Sequence, residues 1–144
     1  MKNIKTIIAF LFTAVLLVSC ETYEDYDSEA TVVGFTKNSS NINRVPEGGT
    51  KEGTVTLYVS DVSNADRTFT LVDLPVPADE FPTATDNYEY PSSVTIPAGV
   101  REIEVTVTAI DNSISPDDRT FFILAVQEGE GYVTGGQVLI GLKN

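Results

Sequence analysis

Histidine is absent from the 144 residues, and with it go Ser–His–Asp and Cys–His catalysis and the commonest zinc ligand. Cysteine occurs once, as Cys20, so no internal disulfide framework exists. Basic residues are scarce: nine Lys and Arg stand against 21 Asp and Glu, a formal net charge of −12. A surface of that sign repels phosphate backbones, which excludes nucleic acid as a partner. It also offers no polybasic contact to a membrane. Acidic balance suits divalent cations and, more simply, keeps an exported domain soluble. A convincing helical period is missing as well. Carboxylates, hydroxyls and a few cationic side chains are what remain for chemistry.

What is present starts at the N-terminus. Lys2 and Lys5 precede an apolar run, Ile7–Val18, broken only by Thr13. The run is short for a bilayer span and has the layout of a secretory signal. Leu17-Val18-Ser19-Cys20 resembles the lipobox of bacterial lipoproteins. The resemblance implies cleavage before Cys20, a lipid on that cysteine as the membrane anchor, and a place in the cell envelope as an outer-membrane lipoprotein facing either the surface or the periplasm. Removing residues 1–19, two of them lysines and none acidic, leaves 125 residues and takes the net charge to −14. That length suits one domain with a real core. Residues 20–30 then form the lipidated cysteine and an acidic tether, in which Glu21–Glu29 reads ETYEDYDSE without an apolar period. An acidic cluster in this place resembles the surface-export signal of Bacteroidota lipoproteins, and it reads equally as a soluble linker.

Residues 31–144 read as β throughout. Seven strands are expected: Thr31–Lys37, Gly53–Ser60, Arg67–Val72, Ser92–Ile96, Val100–Ile110, Thr120–Val126 and Gln137–Leu142. In the second, Val55, Leu57 and Val59 share one face, with Thr54, Thr56 and Tyr58 on the other. Phe69 and Leu71 share a face in the third, and Ile103, Val105 and Val107 turn inward in the fifth. Thr120–Val126 is apolar on both faces, as a central strand requires. Short strands punctuated by Gly, Pro, Asn and Asp predict an all-β fold, a seven-stranded immunoglobulin-like β-sandwich. Asp-Arg-Thr-Phe occurs at 66–69 and again at 118–121, each time opening a strand, which is recurring turn chemistry and not a repeat unit.

If successive strands alternate direction, the loops after the first, third and fifth strands gather at one pole. That pole receives Glu47, then Asp86 and Glu89, then Asp111, Asp117 and Asp118. Oxygen ligands from several loops are what calcium takes. Val45-Pro46-Glu47-Gly48-Gly49-Thr50, Asp86-Asn87-Tyr88, Ile96-Pro97-Ala98-Gly99, Ile110-Asp111-Asn112 and Arg119-Thr120-Phe121 resemble the Calx-beta domain in order and spacing, over roughly residues 31–142. The resemblance implies calcium as a cofactor on Glu47, Asp86 and Asp111, with Asp117 and Asp118 as looser matches. The chain also departs from the family: paired aspartates are reduced to Asp111-Asn112, Arg119 sets a positive charge beside the acids, and the acidic tail is missing. Any retained site is therefore weak or single. The same residues also have structural uses: Asp86 capping a turn, Tyr88 packing at a corner, Asp111 accepting backbone N–H bonds.

The opposite pole carries Ser60–Asp66 and the loop Gln127–Gly136. There Tyr132 is either a stacking platform for a sugar or protein partner, or a ring lying back on the sandwich edge. Pro75, Pro77, Pro82 and Pro91 mark a stiff crossing loop. The function expected first is a non-catalytic, lipid-anchored envelope module for binding, adhesion or surface assembly, with a glycan or envelope protein as partner. A calcium-stiffened structural domain is the alternative. A hydrolase with two carboxylates comes last, because a small sandwich with short loops forms clefts poorly.

Overall fold

The computed structural model of the chain describes residues 30–144; Cys20, the signal segment and the acidic tether lie outside the described residues. Ten strands follow in order: β1 (Thr31–Phe35), β2 (Ser39–Asn43), β3 (Thr50–Val59), β4 (Arg67–Leu74), β5 (Tyr88–Glu89), β6 (Ser93–Ile96), β7 (Glu102–Ile110), β8 (Thr120–Val126), β9 (Tyr132–Thr134) and β10 (Val138–Lys143). They build two five-stranded sheets, β5-β7-β3-β1-β9 and β2-β10-β8-β4-β6. The fold is an all-β sandwich, and its strand count corrects the expected seven.

Two of the extra strands have one cause. The chain crosses from one sheet to the other just after the predicted first strand and just before the predicted last one, so β2 and β9 form in stretches expected to be loops. β1 pairs in parallel with β9 in the first sheet, and their continuations β2 and β10 pair in parallel in the second. The two crossings touch: the Phe35 N–H donates to the Gly136 carbonyl at 2.7 Å and the Leu139 N–H to that of Asn38 at 2.9 Å. Glycine is needed there, since a Cβ on Gly34 would lie 2.6 Å from the Gly136 nitrogen. The third extra strand, β5, is a two-residue pairing against β7, Tyr88 opposite Ala109 and Glu89 opposite Thr108.

Alternation decides what is buried. Val55, Leu57 and Val59 of β3 and Val105, Val107 and Ala109 of β7 line the inner face of the first sheet. Phe69 and Leu71 of β4, Phe122, Leu124 and Val126 of β8, and Val138, Ile140 and Leu142 of β10 line the second. Ile103, at the start of β7, is only partly buried. A fully buried Leu or Ile such as Leu57 or Ile140 contributes about 1.5–3 kcal/mol. β8 is the middle strand of its sheet; its inward residues are buried, while Phe121 and Ile123 on the other face are half-buried.

Register fixes the poles. β1 begins beside the end of β3: the Val32 N–H donates to Ser60 Oγ and the Ser60 N–H to the Val32 carbonyl. Thr31, the start of β1, therefore sits at the pole of the loops after β3 and β8. The end of β7 lies at the other pole, against the start of β3, with Thr50 opposite Ile110.

Candidate functional site

The pole away from Thr31 is built from three loops, 44–49, 75–87 and 111–119, and they do meet. Asp111 joins two of them. One carboxylate oxygen accepts from the Gly48 N–H at 2.9 Å and from the Asn144 amide at 3.1 Å, and the other accepts from the Ile114 N–H at 3.0 Å. Gly48 presents its N–H from a left-handed backbone, φ 63°, which glycine adopts freely. The Gly48 bond above all, with Ile114 and Asn144 behind it and burial opposing, holds the Asp111 carboxyl below its ordinary range.

Asn87 joins the other pair. It is the one buried polar residue of the described core, 2% exposed, and its amide is fully used. Its oxygen accepts from the N–H groups of Asn112 at 3.2 Å and Ser113 at 3.0 Å. Its nitrogen donates to Thr83 Oγ1 at 3.2 Å and Ser113 Oγ at 3.1 Å. The Asn112 amide in turn donates to the Asp86 carbonyl. Asn87 was legible only as the middle of Asp-Asn-Tyr; nothing in the sequence marks it as buried.

The five candidate calcium residues are not drawn together. Glu47, Asp86, Asp117 and Asp118 are exposed, and no three acidic side chains among the described residues converge closely enough to hold a metal. Asp111 meets N–H donors on both oxygens, the wrong partners for a cation ligand. Lys143 Nζ donates to the Asp117 carbonyl at 3.1 Å, adding positive charge to the same pole. Arg119 is engaged elsewhere, on Asn41 Oδ1 at 2.6 Å. The residues present do not fit calcium.

At the pole of Thr31, Tyr132 lies with its edge against Phe69, ring centroids 5.2 Å apart, and its hydroxyl donates to the Gln127 carbonyl at 2.8 Å. A groove of about 240 Å³ runs beside it, lined by Thr31, Arg67, Thr68, Phe69, Glu130 and Gly131. Arg67 is occupied by Asp61, at 2.9 Å.

Two further features carry no simple sequence signal. Asp73 follows Phe69 and Leu71 in inward register on β4, and it accepts from the Tyr88 hydroxyl at 2.6 Å and the Tyr90 hydroxyl at 3.0 Å. The inward period was readable, whereas the partners were not. The Tyr88 bond chiefly holds the Asp73 carboxyl below its usual range, while burial first and Asp73 second push the Tyr88 hydroxyl up. Tyr88 also stacks on Phe122, centroids 3.8 Å apart, so the tyrosine–aspartate clamp ties β5 of one sheet to β4 and β8 of the other. The second feature is Phe81, 58% exposed, with a left-handed backbone at φ 55° and ψ 62°.

Four of the grooves on the described surface bear on hydrolysis. Each is lined by a single carboxylate: Glu128, Glu104, Asp73 and Glu130 in turn. None holds the two facing acids that glycoside hydrolysis requires.

No family model matches the sequence, and no curated protein matches it. Solved structures do. A candidate carbohydrate binding protein from Bacteroides ovatus superposes with TM-score 0.62 at 8% identity, over 78% of this chain and 36% of that one. A multidomain protein including DUF1735, also from Bacteroides ovatus, gives 0.57 at 14% identity over 78% and 43%. CBD12 from CALX1.2 gives 0.55 at 14% identity over 77% and 45%. The fold is an immunoglobulin-like β-sandwich. The chain spans less than half the length of these neighbours, and at such identities the likeness extends to the fold alone.

Proposed function

We propose that this chain is a non-catalytic binding module of a bacterial cell envelope, anchored by lipid on Cys20 and directed at a glycan. The observation that carries the reading is the polarity of the sandwich. The tether joins at one pole, and the loops knitted by Asp111 and Asn87 stand at the other, so an anchor at Cys20 holds those loops away from the bilayer. Rigid loops on a sandwich suit contact. Grooves with one carboxylate each suit no hydrolytic pair. The shared fold with a candidate carbohydrate binding protein supports the glycan as ligand class.

The test takes the full chain expressed in a Gram-negative host. Wild type is expected in the membrane fraction, and Cys20→Ser in the soluble fraction. Purified in detergent, the wild type is expected to be retarded by immobilised polysaccharide without cleaving it. Release of reducing ends would overturn the non-catalytic reading, and an unchanged distribution of Cys20→Ser would overturn the anchor.

A further inference from the structure

Phe81 is a large ring in an expensive position. A left-handed backbone suits glycine or asparagine, and phenylalanine there is an outlier that persists only when its surroundings enforce it. Here they do. The Phe121 N–H donates to the Phe81 carbonyl at 2.9 Å, the Thr83 N–H donates to the Phe121 carbonyl at 2.8 Å, and the Glu80 N–H closes a turn onto the Pro77 carbonyl at 2.9 Å. The segment is pinned to the start of β8, where Pro82 bridges to Phe121. Yet the residue stays largely open, 58% exposed. Strain and exposure therefore coincide at one aromatic side chain.

Its chain neighbour Pro82 and its backbone partner Phe121 line a groove of about 400 Å³, together with Leu74, Pro75, Thr83 and Asp73. It opens because β4 leaves β8 after Leu74, opposite Ile123, and the chain returns only at Pro82. Its size falls within the range of about 300–1,000 Å³ usual for small-ligand clefts. Its start-of-β8 wall places it toward the pole opposite the tether. Apolar rings and prolines offer flat faces. Asp73 offers acceptor positions beyond the two its tyrosines use, and Asp79 and Glu80 immediately precede Phe81. No lysine or arginine lines the groove.

We infer that Phe81 and this groove form the ligand contact, and that the ligand is a neutral glycan, one sugar face lying on the Phe81 ring with its hydroxyls toward the carboxylate side. This rests on the binding-module reading above and gives it a site and a ligand class. The charge decides the class: a carboxylate and no base in the lining, with Asp79 and Glu80 next to Phe81 in the chain, repel uronic, sulfated or phosphorylated ligands. They favour a hydroxyl-rich donor that brings no negative charge of its own.

The test is affinity electrophoresis of the full chain in detergent against mannan, xylan, β-glucan and galactan, with pectin, heparin and an oligolysine peptide as counter-ligands. Wild type is expected to be retarded by at least one neutral polysaccharide. Phe81→Gly removes the ring and suits the left-handed backbone, so affinity is expected to fall about tenfold or more with no loss of melting midpoint. Phe81→Trp is expected to keep binding. If Phe81→Gly binds the neutral glycan as well as wild type, or if Tyr132→Ala loses binding and Phe81→Gly does not, the site is wrong and the module reading stands. Binding only to pectin, heparin or oligolysine overturns the ligand class. Binding to nothing in the panel overturns both readings.

Discussion

Replacing Asn87 by alanine tests whether the loop pole is held by hydrogen bonds or merely filled by packing. The amide is 2% exposed, and its oxygen is the acceptor for two backbone N–H groups, those of Asn112 and Ser113. Alanine orphans both, together with the interactions of the Thr83 and Ser113 hydroxyls. An unsatisfied buried donor costs about 1–3 kcal/mol. Asn112 and Ser113 are themselves exposed residues, so water relieves part of that cost, and the low end of the range applies. A loss of about 2–3 kcal/mol follows for the pair and the lost amide contacts together. A domain of this size shifts about 4 °C per kcal/mol, so the melting midpoint of Asn87→Ala is expected about 8–12 °C below wild type by differential scanning fluorimetry. A drop under about 3 °C would refute the argument, since water would then serve as well as the side chain. Asn87→Asp sharpens it: the acceptor is kept, but a charge is buried. That variant is expected to be weak at neutral pH and to recover part of its stability at acid pH, where the carboxyl is neutral.

Gly34→Ala is expected to cost about 2–3 kcal/mol in a urea titration, because the added carbon meets the backbone of Gly135 and Gly136. Gly53→Ala, which meets only the side chain of Ile42, is expected to cost less; equal effects would mean the strand crossing is not tight. Asp73 has its carboxyl pKa lowered in the fold chiefly by the Tyr88 hydroxyl. Its contribution is therefore present above the unfolded value of about 4 and lost as pH falls through the lower folded value. Asp73→Asn is expected to melt earlier at pH 7 and to lose less further stability on acidification, and a wild-type-like acid slope would refute the clamp. Millimolar calcium against chelator is expected to leave the melting midpoint in place, because Asp111 is already filled by N–H donors. A rise of several degrees would reinstate a bound ion.

Much of the sandwich is written in its alternation. Val55, Leu57 and Val59, and Phe122, Leu124 and Val126, are buried as their period of two dictates, and a strand apolar on both faces became the middle of its sheet. Side-chain period is a local property of the chain, so sequence alone determined it. The same holds for the missing histidine and the acidic charge, which remove whole chemistries before any fold is known. Sheet membership is different. Whether residues 31–43 stay in one sheet or cross to the other depends on the partner strand near the C-terminus, and nothing within either segment states it.

The loop pole divides in the same way. Turn-forming Gly, Pro, Asn and Asp placed the loops, and alternating strand direction brought them to one end. What each acid does there was decided by the atoms it meets. Asp111 finds N–H groups, Glu47 finds solvent, and Asn87 becomes the residue that joins loops 25 positions apart in the chain. A carboxylate reads identically in sequence whether it faces a cation or a backbone amide. Only the tertiary structure supplies its partner. Phe81 shows the limit most plainly: its composition says buried ring, and the backbone around it turns the ring outward.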